Sequence, residues 1–294
     1  MNLTEYLAAE QQRTDSALDR WLPAKSTPPE MIHRAMRYSV FAGGKRIRPI
    51  LCMEAARCVS DSVEGVEDIA CPLELIHTYS LIHDDLPALD NDDLRRGRPT
   101  SHKVFGEAMA ILAGDALLTL AFEVLAKTSA VDDVRRARIV AELASASGTV
   151  GGMIGGQVND LEGEGKQPDP ALLESIHRAK TGALLRASLR MGAIFAGAAP
   201  EQYDALSRFG EHAGLAFQIV DDVLDVEQSS EDLGKTAGKD AAQHKITFPA
   251  VYGLEESHRM AEQERLRAHA VLELFGERAS RLHELADLIV HRKA

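Results

Sequence analysis

Apolar residues recur at three- and four-residue spacing along nearly the whole chain, the period of helices that bury one face. Leu3, Tyr6, Leu7, Leu18 and Trp21 share such a face over residues 3–22, and Pro23 with the Pro28-Pro29 pair ends the run. Pro29 and Glu30 can open a second helix through Ile32, Ala35, Met36, Ser39 and Val40, broken at Gly43-Gly44. After Pro49 a strongly apolar helix runs from Ile50 to Val59, and beyond a loop at 60–67 another carries Leu73, Leu75, Ile76, Tyr79 and Leu81. Pro87 disfavours helix at Leu86, so this run is expected to end at Asp84 and Asp85. Residues 105–126 are apolar nearly all round, which predicts a helix buried at the centre of a bundle with Asp115 as a hydrogen-bonded core residue. One helix is predicted over 134–161, where Gly151, Gly152, Gly155 and Gly156 would let a neighbour come close. Further helices carry HRAKTGALLRASLRMGAIFAG, GLAFQIVDDVLDV and the charged stretch 255–294, which shows apolar positions at Leu272, Leu274, Leu282, Leu285 and Ile289 but no chemistry. The pattern predicts an all-α, single-domain bundle of about ten to thirteen helices.

Charge narrows the partners. The 294 residues include 45 acidic and 33 basic side chains, a net charge of −12, which argues against nucleic acid and requires local basic patches for any anionic substrate. Cys52, Cys58 and Cys71 are odd in number, lie in apolar segments and form no CxxC, which disfavours disulfides and structural zinc and suits a reducing compartment. The amino-terminal stretch has no apolar signal core and no run approaches the ~20 residues that span a bilayer, so the expectation is a cytoplasmic protein without a membrane span.

The segment His77 to Lys103, HTYSLIHDDLPALDNDDLRRGRPTSHK, concentrates the candidate chemistry. Asp84 and Asp85 at a helix carboxyl end, with Asp90 beyond, make a site for a hard divalent cation. Arg95 and Arg96 follow and can grip phosphate in bidentate fashion, which suggests a polyanionic substrate clamped by metal and guanidinium. A second acidic helix places Gln218, Asp221 and Asp225 along one face, where like charges four apart call for a cation. Two such helices facing each other, with Asp84 opposite Asp221, would hold a metal cluster between them. Upstream, GGKRIRP sets Lys45 and Arg48 three apart at a helix start, an expected diphosphate site, with His77 as a phosphate donor or a buried structural histidine. Lys180 and Thr181 are polar residues in an otherwise apolar run, able to bind a leaving diphosphate and to face positive charge, or simply to reach solvent. Gln157 and Asp160 read equally as supports for the metals or as helix-to-helix hydrogen bonds. The loop LGKTAGKDAAQHKITFPA carries Lys235, Lys239 and Lys245 as a basic lid. No GxGxxG or P-loop pattern is complete. The adjacent pair His83-Asp84 leaves a metal-dependent phosphohydrolase as the second reading.

Taken together, GGKRIRP at 43–49, HTYSLIHDDLPALDNDDLRRG at 77–97, GGQVNDL at 155–161, KTGAL at 180–184, FQIVDDVLD at 217–225 and LGKT at 233–236 resemble the trans-isoprenyl diphosphate synthases, the bacterial farnesyl type most closely. The resemblance covers nearly the whole chain; His244 and Ile246 depart from the small residues that the family more often has beside Lys245. It implies Mg2+, three ions with Mn2+ able to substitute, on Asp84, Asp90, Asp221 and Asp225. Asp85, Lys180, Thr181 and Gln218 would join these residues in catalysis and substrate binding. Arg95 and Lys235 would hold the allylic diphosphate, dimethylallyl or geranyl, Lys45, Arg48, His77 and Arg96 would hold isopentenyl diphosphate, and Lys245 would also bind substrate. Metal and cationic side chains would stabilise departing diphosphate, and isopentenyl diphosphate would attack the allylic cation. Tyr79, with the long spacing from Asp84 to Asp90, implies a fifteen-carbon product from a homodimeric enzyme; geranyl or geranylgeranyl synthase, terpene cyclase and non-catalytic subunit are the alternatives.

Overall fold

Helices form where the apolar period predicts them, and caps set their ends. In the computed structural model, which describes residues 1–167, 169–227 and 246–292, α1 (Leu3–Trp21) opens on a capping box. Glu5 N–H donates to Asn2 Oδ1 at 2.9 Å and Asn2 N–H to Glu5 Oε2 at 3.2 Å, satisfying two otherwise unpaired amides. Helices α2 (Glu30–Val40), α3 (Ile47–Val59) and α4 (Val66–Asp84) follow, then a hairpin of β1 (Leu94–Arg95) and β2 (Arg98–Pro99). Next come α5 (Ser101–Phe105), α6 (Glu107–Lys127), α7 (Asp133–Ser147), α8 (Met153–Gly163) and α9 (Pro170–His177). A π turn (Arg178–Gly182) leads into α10 (Ala183–Ala196) and α11 (Pro200–Glu227), and the chain closes with α12 (Phe248–Tyr252), α13 (Leu254–Ala270), a 3-10 segment (Glu273–Ala279) and α14 (Ser280–His291). The all-α expectation holds, and with the one-turn helices α5 and α12 set apart the number of helices among the described residues falls in the expected range.

The described residues group into two compact units, Met1–Met53 with Glu64–Val140 and Glu54–Val63 with Ala141–Ala294. In the first, α4 packs on α6 and α1, and Ile50, Leu51, Leu73, Leu75, Ile76, Leu117 and Leu125 are fully buried. Each such side chain contributes about 1.5–3 kcal/mol relative to exposure. In the second, α11 packs on α10 and α13 around Leu189, Met191, Leu206, Phe209 and Ile219.

Several expectations need correction. The helix predicted over 134–161 is two, α7 and α8, because Gly151 takes a left-handed φ of 66° at the break. The stretch 255–294 is likewise not one helix: α13 ends at Ala270, and a 3-10 segment kinked at Gly276, φ 56°, precedes α14. Helix α3 starts at Ile47, before Pro49, because proline is tolerated in a first turn where its missing N–H has no partner to lose. Helix α6 is not enclosed: it buries Ala113, Leu117, Ala121 and Val124, yet Ile111 and Leu112 are about half exposed and Asp115 lies outside the core. It is also long and apolar enough to cross a bilayer by length and composition, which the sequence reading had not expected of any segment; its buried face packs on α4, α2 and α5.

Candidate active site

Helix α4 ends where Pro87 lies ahead, and the loop beyond folds back over its carbonyl end. Asp90 N–H donates to Asp84 O at 2.8 Å, Asn91 N–H to Leu86 O at 3.1 Å and Asp92 N–H to Asp85 O at 3.1 Å. The reversal needs a left-handed residue, and Asn91 supplies it at φ 49°. Asp84 and Asp90 thereby lie on one short turn, both half-buried. Asp85 is turned inward instead, 4% exposed, and accepts from Arg95 Nε at 3.0 Å and from Arg95 Nη2. Burial raises its pKa above the usual carboxylate range, and Arg95 opposes that rise without cancelling it. Asp85 was expected among the catalytic carboxylates; here it orients Arg95, which also lies 3.6 Å from Asp92 Oδ2.

Arg95 and Arg96 are aimed by the hairpin, which the sequence reading missed. The register Arg95↔Arg98 leaves a two-residue turn, and Arg96 and Gly97 have φ of 53° and 71°, the pair of left-handed residues that a type I′ turn demands. The signal was the glycine after Arg96, flanked by arginines rather than by apolar strand residues. Arg96 Nη1 reaches back to donate to Gly43 O, and Gly44 has φ 128°, a conformation that strains any residue with a Cβ, which here would also displace the Arg96 guanidinium.

Around His77 the first unit gathers positive charge. The imidazole has its pKa driven well below the ordinary histidine range, first by burial and then by Arg48, Arg96, Arg95 and Arg46, so it is neutral at pH 7 and can donate or accept a hydrogen bond. Arg48, in the first turn of α3, has a buried Nε with no hydrogen-bond partner, and burial and Arg96 both lower its pKa against the pull of Glu74. Lys45 stands exposed in the loop before α3, so Lys45 and Arg48 flank the helix start rather than share one of its faces. Arginines clustered this closely in an acidic protein, one with an unsatisfied buried donor, suit an anion with several oxygens.

Tyr79 is 5% exposed, its hydroxyl is buried without a hydrogen-bond partner, and burial together with the nearby Asp84 carboxylate pushes its pKa up to about 12. Its ring meets that of His83 edge-on at 5.7 Å. His83 turns toward α6: Nε2 lies 3.1 Å from Ile111 O, and a Cβ at Gly114 would sit 2.2 Å from it. The phosphohydrolase reading needs that ring on a metal beside Asp84, and the ring is instead engaged with α6.

In the second unit Gln218, Asp221 and Asp225 all lie on α11, as expected. Asp221 is partly exposed and Asp225 buried. Between them Asp222 is buried, accepts from Phe248 N–H at 2.9 Å and has His177 Nε2 3.3 Å away. Arg292 Nη2 donates to Asp221 Oδ1 at 3.1 Å, with its guanidinium 4.1 Å over the Phe217 ring. Nothing in the sequence separates Arg292 from the other charges of the terminal segment, where no chemistry was expected. Lys180 and Thr181 lie in the π turn, a distortion common at functional sites. Lys180 Nζ is 2.6 Å from Asp160 Oδ2, and a Cβ at Gly156 would lie 2.2 Å from Lys180 N, so the expected close approach of α8 is to this turn. Lys235, Lys239 and Lys245, with the basic lid, lie outside the described residues.

Carboxylate oxygens alone, without thiolate or imidazole at Asp84, Asp90, Asp221 and Asp225, are the donor chemistry of Mg2+ rather than of a softer metal. Among the described residues no three Asp, Glu, His or Cys side chains are gathered closely enough to hold a metal by themselves. Mg2+ tolerates this, since it keeps several waters and takes one or two carboxylates along with substrate phosphates.

Comparison with known proteins agrees with this chemistry. The polyprenyl synthetase family matches residues 29–286. The chain is 47% identical over 259 residues to farnesyl diphosphate synthase of Geobacillus stearothermophilus, covering 86% of each chain. It is 48% identical over 297 residues to the large subunit 1 of the chloroplastic heterodimeric geranylgeranyl pyrophosphate synthase of Arabidopsis thaliana, covering 98% of this chain and 79% of the relative. Among solved structures it superposes on an FPP/GFPP synthase of Zymomonas mobilis with a TM-score of 0.87 at 37% identity, covering 98% of this chain and 99% of the other. Geranylgeranyl pyrophosphate synthetase of Pyrococcus horikoshii gives 0.90 at 29% identity, covering 99% and 98%. Fold, motif order and these likenesses together make the chain a member of the polyprenyl synthetase family.

Proposed function

We propose that this prenyltransferase makes farnesyl diphosphate, condensing isopentenyl diphosphate with dimethylallyl and then geranyl diphosphate. The observation that carries the reading is the desolvated basic cluster of Arg48, His77 and Arg96 on the same unit as Asp84 and Asp90. A terpene cyclase needs one diphosphate site and has no use for this second one. Asp84, Asp90, Asp221 and Asp225 would hold Mg2+, which supplies charge to neutralise the leaving diphosphate when bound. Arg95, aimed by Asp85, binds the allylic diphosphate with Lys235, and Lys245 also binds substrate. Lys180, paired with Asp160 at 2.6 Å, binds the leaving diphosphate, while Thr181 and Gln218 present oxygens to the developing cation. Lys45, Arg48, His77 and Arg96 bind isopentenyl diphosphate. No side chain acts as nucleophile, and the released diphosphate takes the proton.

Lys45→Ala is expected to raise KM for isopentenyl diphosphate with little change in kcat, because an exposed lysine contributes to ground-state and transition-state binding alike. Steady-state kinetics with each substrate varied in turn checks this. An effect confined to the allylic substrate would reverse the two site assignments.

The half-exposed apolar positions Ile111 and Leu112 of α6 support a homodimer, a second copy covering what the single chain leaves open. Leu112→Glu is expected to halve the mass measured by light scattering; an unchanged mass would place the contact elsewhere. The three buried free cysteines suit a cytoplasmic setting.

A further inference from the structure

Arg46 stands between two residues proposed to bind diphosphate, yet its side chain points the opposite way. It is 2% exposed, and its backbone adopts a left-handed φ of 51° that a residue with a Cβ resists. Such a conformation persists only where the surroundings over-determine it. Here they do so through the guanidinium. Nε donates to Asp15 Oδ1 of α1 at 2.8 Å, Nη1 to Glu74 Oε1 of α4 at 2.8 Å and to Gly43 O at 3.3 Å, and Nη2 to Val40 O at the end of α2 at 2.7 Å. Its own carbonyl accepts from Ile50 N–H at 3.1 Å and so starts α3.

One side chain thus pins the loop 43–46 to three helices at once, and each tie bears on the basic cluster. Glu74 lies three residues before His77 on the same helix, itself 2% exposed, so the Arg46–Glu74 pair sets the loop against the turn that carries the imidazole. Gly43 O is shared between Arg46 and Arg96. Turning Arg46 inward leaves Lys45 outward in the loop and Arg48 in the first turn of α3. Lysine at position 46 would keep the charge, but its single nitrogen cannot span acceptors on three helices as the planar fork does.

We infer that Arg46 and Glu74 are positioning residues for isopentenyl diphosphate: they touch no substrate, and they hold the loop in the one conformation that presents Lys45 and Arg48 together. The inference rests on the assignment of Lys45 and Arg48 made above. Removing Arg46 alone would leave Glu74 buried and uncompensated, so a single Arg46→Met variant confounds stability with function. The double variant Arg46→Met/Glu74→Leu removes both buried charges and fills the space with apolar atoms, a replacement that commonly leaves stability intact.

The expected result is a double variant with near-native circular dichroism and Tm whose KM for isopentenyl diphosphate rises about tenfold, while kcat and KM for the allylic diphosphate change less than about threefold. Arg46→Lys, which retains the charge, is expected to show the same split and serves if the double variant folds poorly. A stable variant of either kind with KM for isopentenyl diphosphate unchanged would overturn the inference and leave Arg46 a residue of the fold alone. Lys45→Ala measured beside them separates the two levels. If Lys45→Ala raises that KM and the Arg46 variants do not, only the positioning role fails; if Lys45→Ala has no effect, the site assignment itself fails.

Discussion

Asp84→Ala is expected to lower kcat by on the order of 10³-fold, the larger end of what loss of one preorganised electrostatic contact costs, with the fold intact. Asp84 is half-buried at the last position of α4, and its carbonyl, which accepts from Asp90 N–H at 2.8 Å and ties the loop to the helix end, survives the substitution. What disappears is a carboxylate whose proposed partner, Mg2+, stabilises charge that develops chiefly in the transition state, so kcat falls more than KM rises. Asp221→Ala is expected to behave similarly, with Arg292 losing its 3.1 Å partner as well. Steady-state kinetics at saturating Mg2+ together with circular dichroism checks both. A variant altered in KM alone would remove Asp84 from the metal site.

Tyr79→Ala is expected to lengthen the product by one or more five-carbon units. The ring is buried on α4, edge-on to His83, and its hydroxyl finds no partner, a cost that stability alone does not explain and that a wall closing a functional space would. Five residues before Asp84, Tyr79 lies off the stripe directly beneath that aspartate; Ser80 is better aligned, at about 100° per residue. Ser80 is small and spends its hydroxyl on His77 O at 2.9 Å, so the bulk at that level is Tyr79. Truncating a buried aromatic costs about 3–5 kcal/mol, and a lower Tm should accompany the longer product. Chromatography of the dephosphorylated products decides the matter: an unchanged fifteen-carbon product would mean that the chain meets another wall.

Most of the fold was legible because its helices bury one face and announce it at the helical period. The exceptions share a cause: periodicity registers apolar faces, and single glycines override it. Gly151 lies at the break between α7 and α8, in a glycine-rich run that reads equally as close helix packing, and Gly276 kinks the 3-10 segment between α13 and α14 with no change in composition to warn of it. Helix α6 misled in the opposite sense, since an all-apolar helix reads as enclosed whether its cover comes from its own chain or from another. In the site, residue types and spacing pointed to Asp84, Asp90, Arg48 and His77, but not to pairing. Asp84 and Asp85 are adjacent and identical, and only the hairpin with Arg96-Gly97 at its tip assigns Asp85 to Arg95. Arg46 and Arg292 were invisible for the same reason, one hidden among the cations of GGKRIRP and the other among terminal charges, each known only by the acceptors it reaches.

The central claim is tested most directly by incubating the protein with Mg2+, labelled isopentenyl diphosphate and dimethylallyl diphosphate, then resolving the products by chain length and assaying released phosphate. The account predicts label in a fifteen-carbon diphosphate with one inorganic diphosphate freed per condensation, and no labelled product when Mg2+ is chelated. Release of inorganic phosphate without any labelled chain longer than the substrates would contradict it.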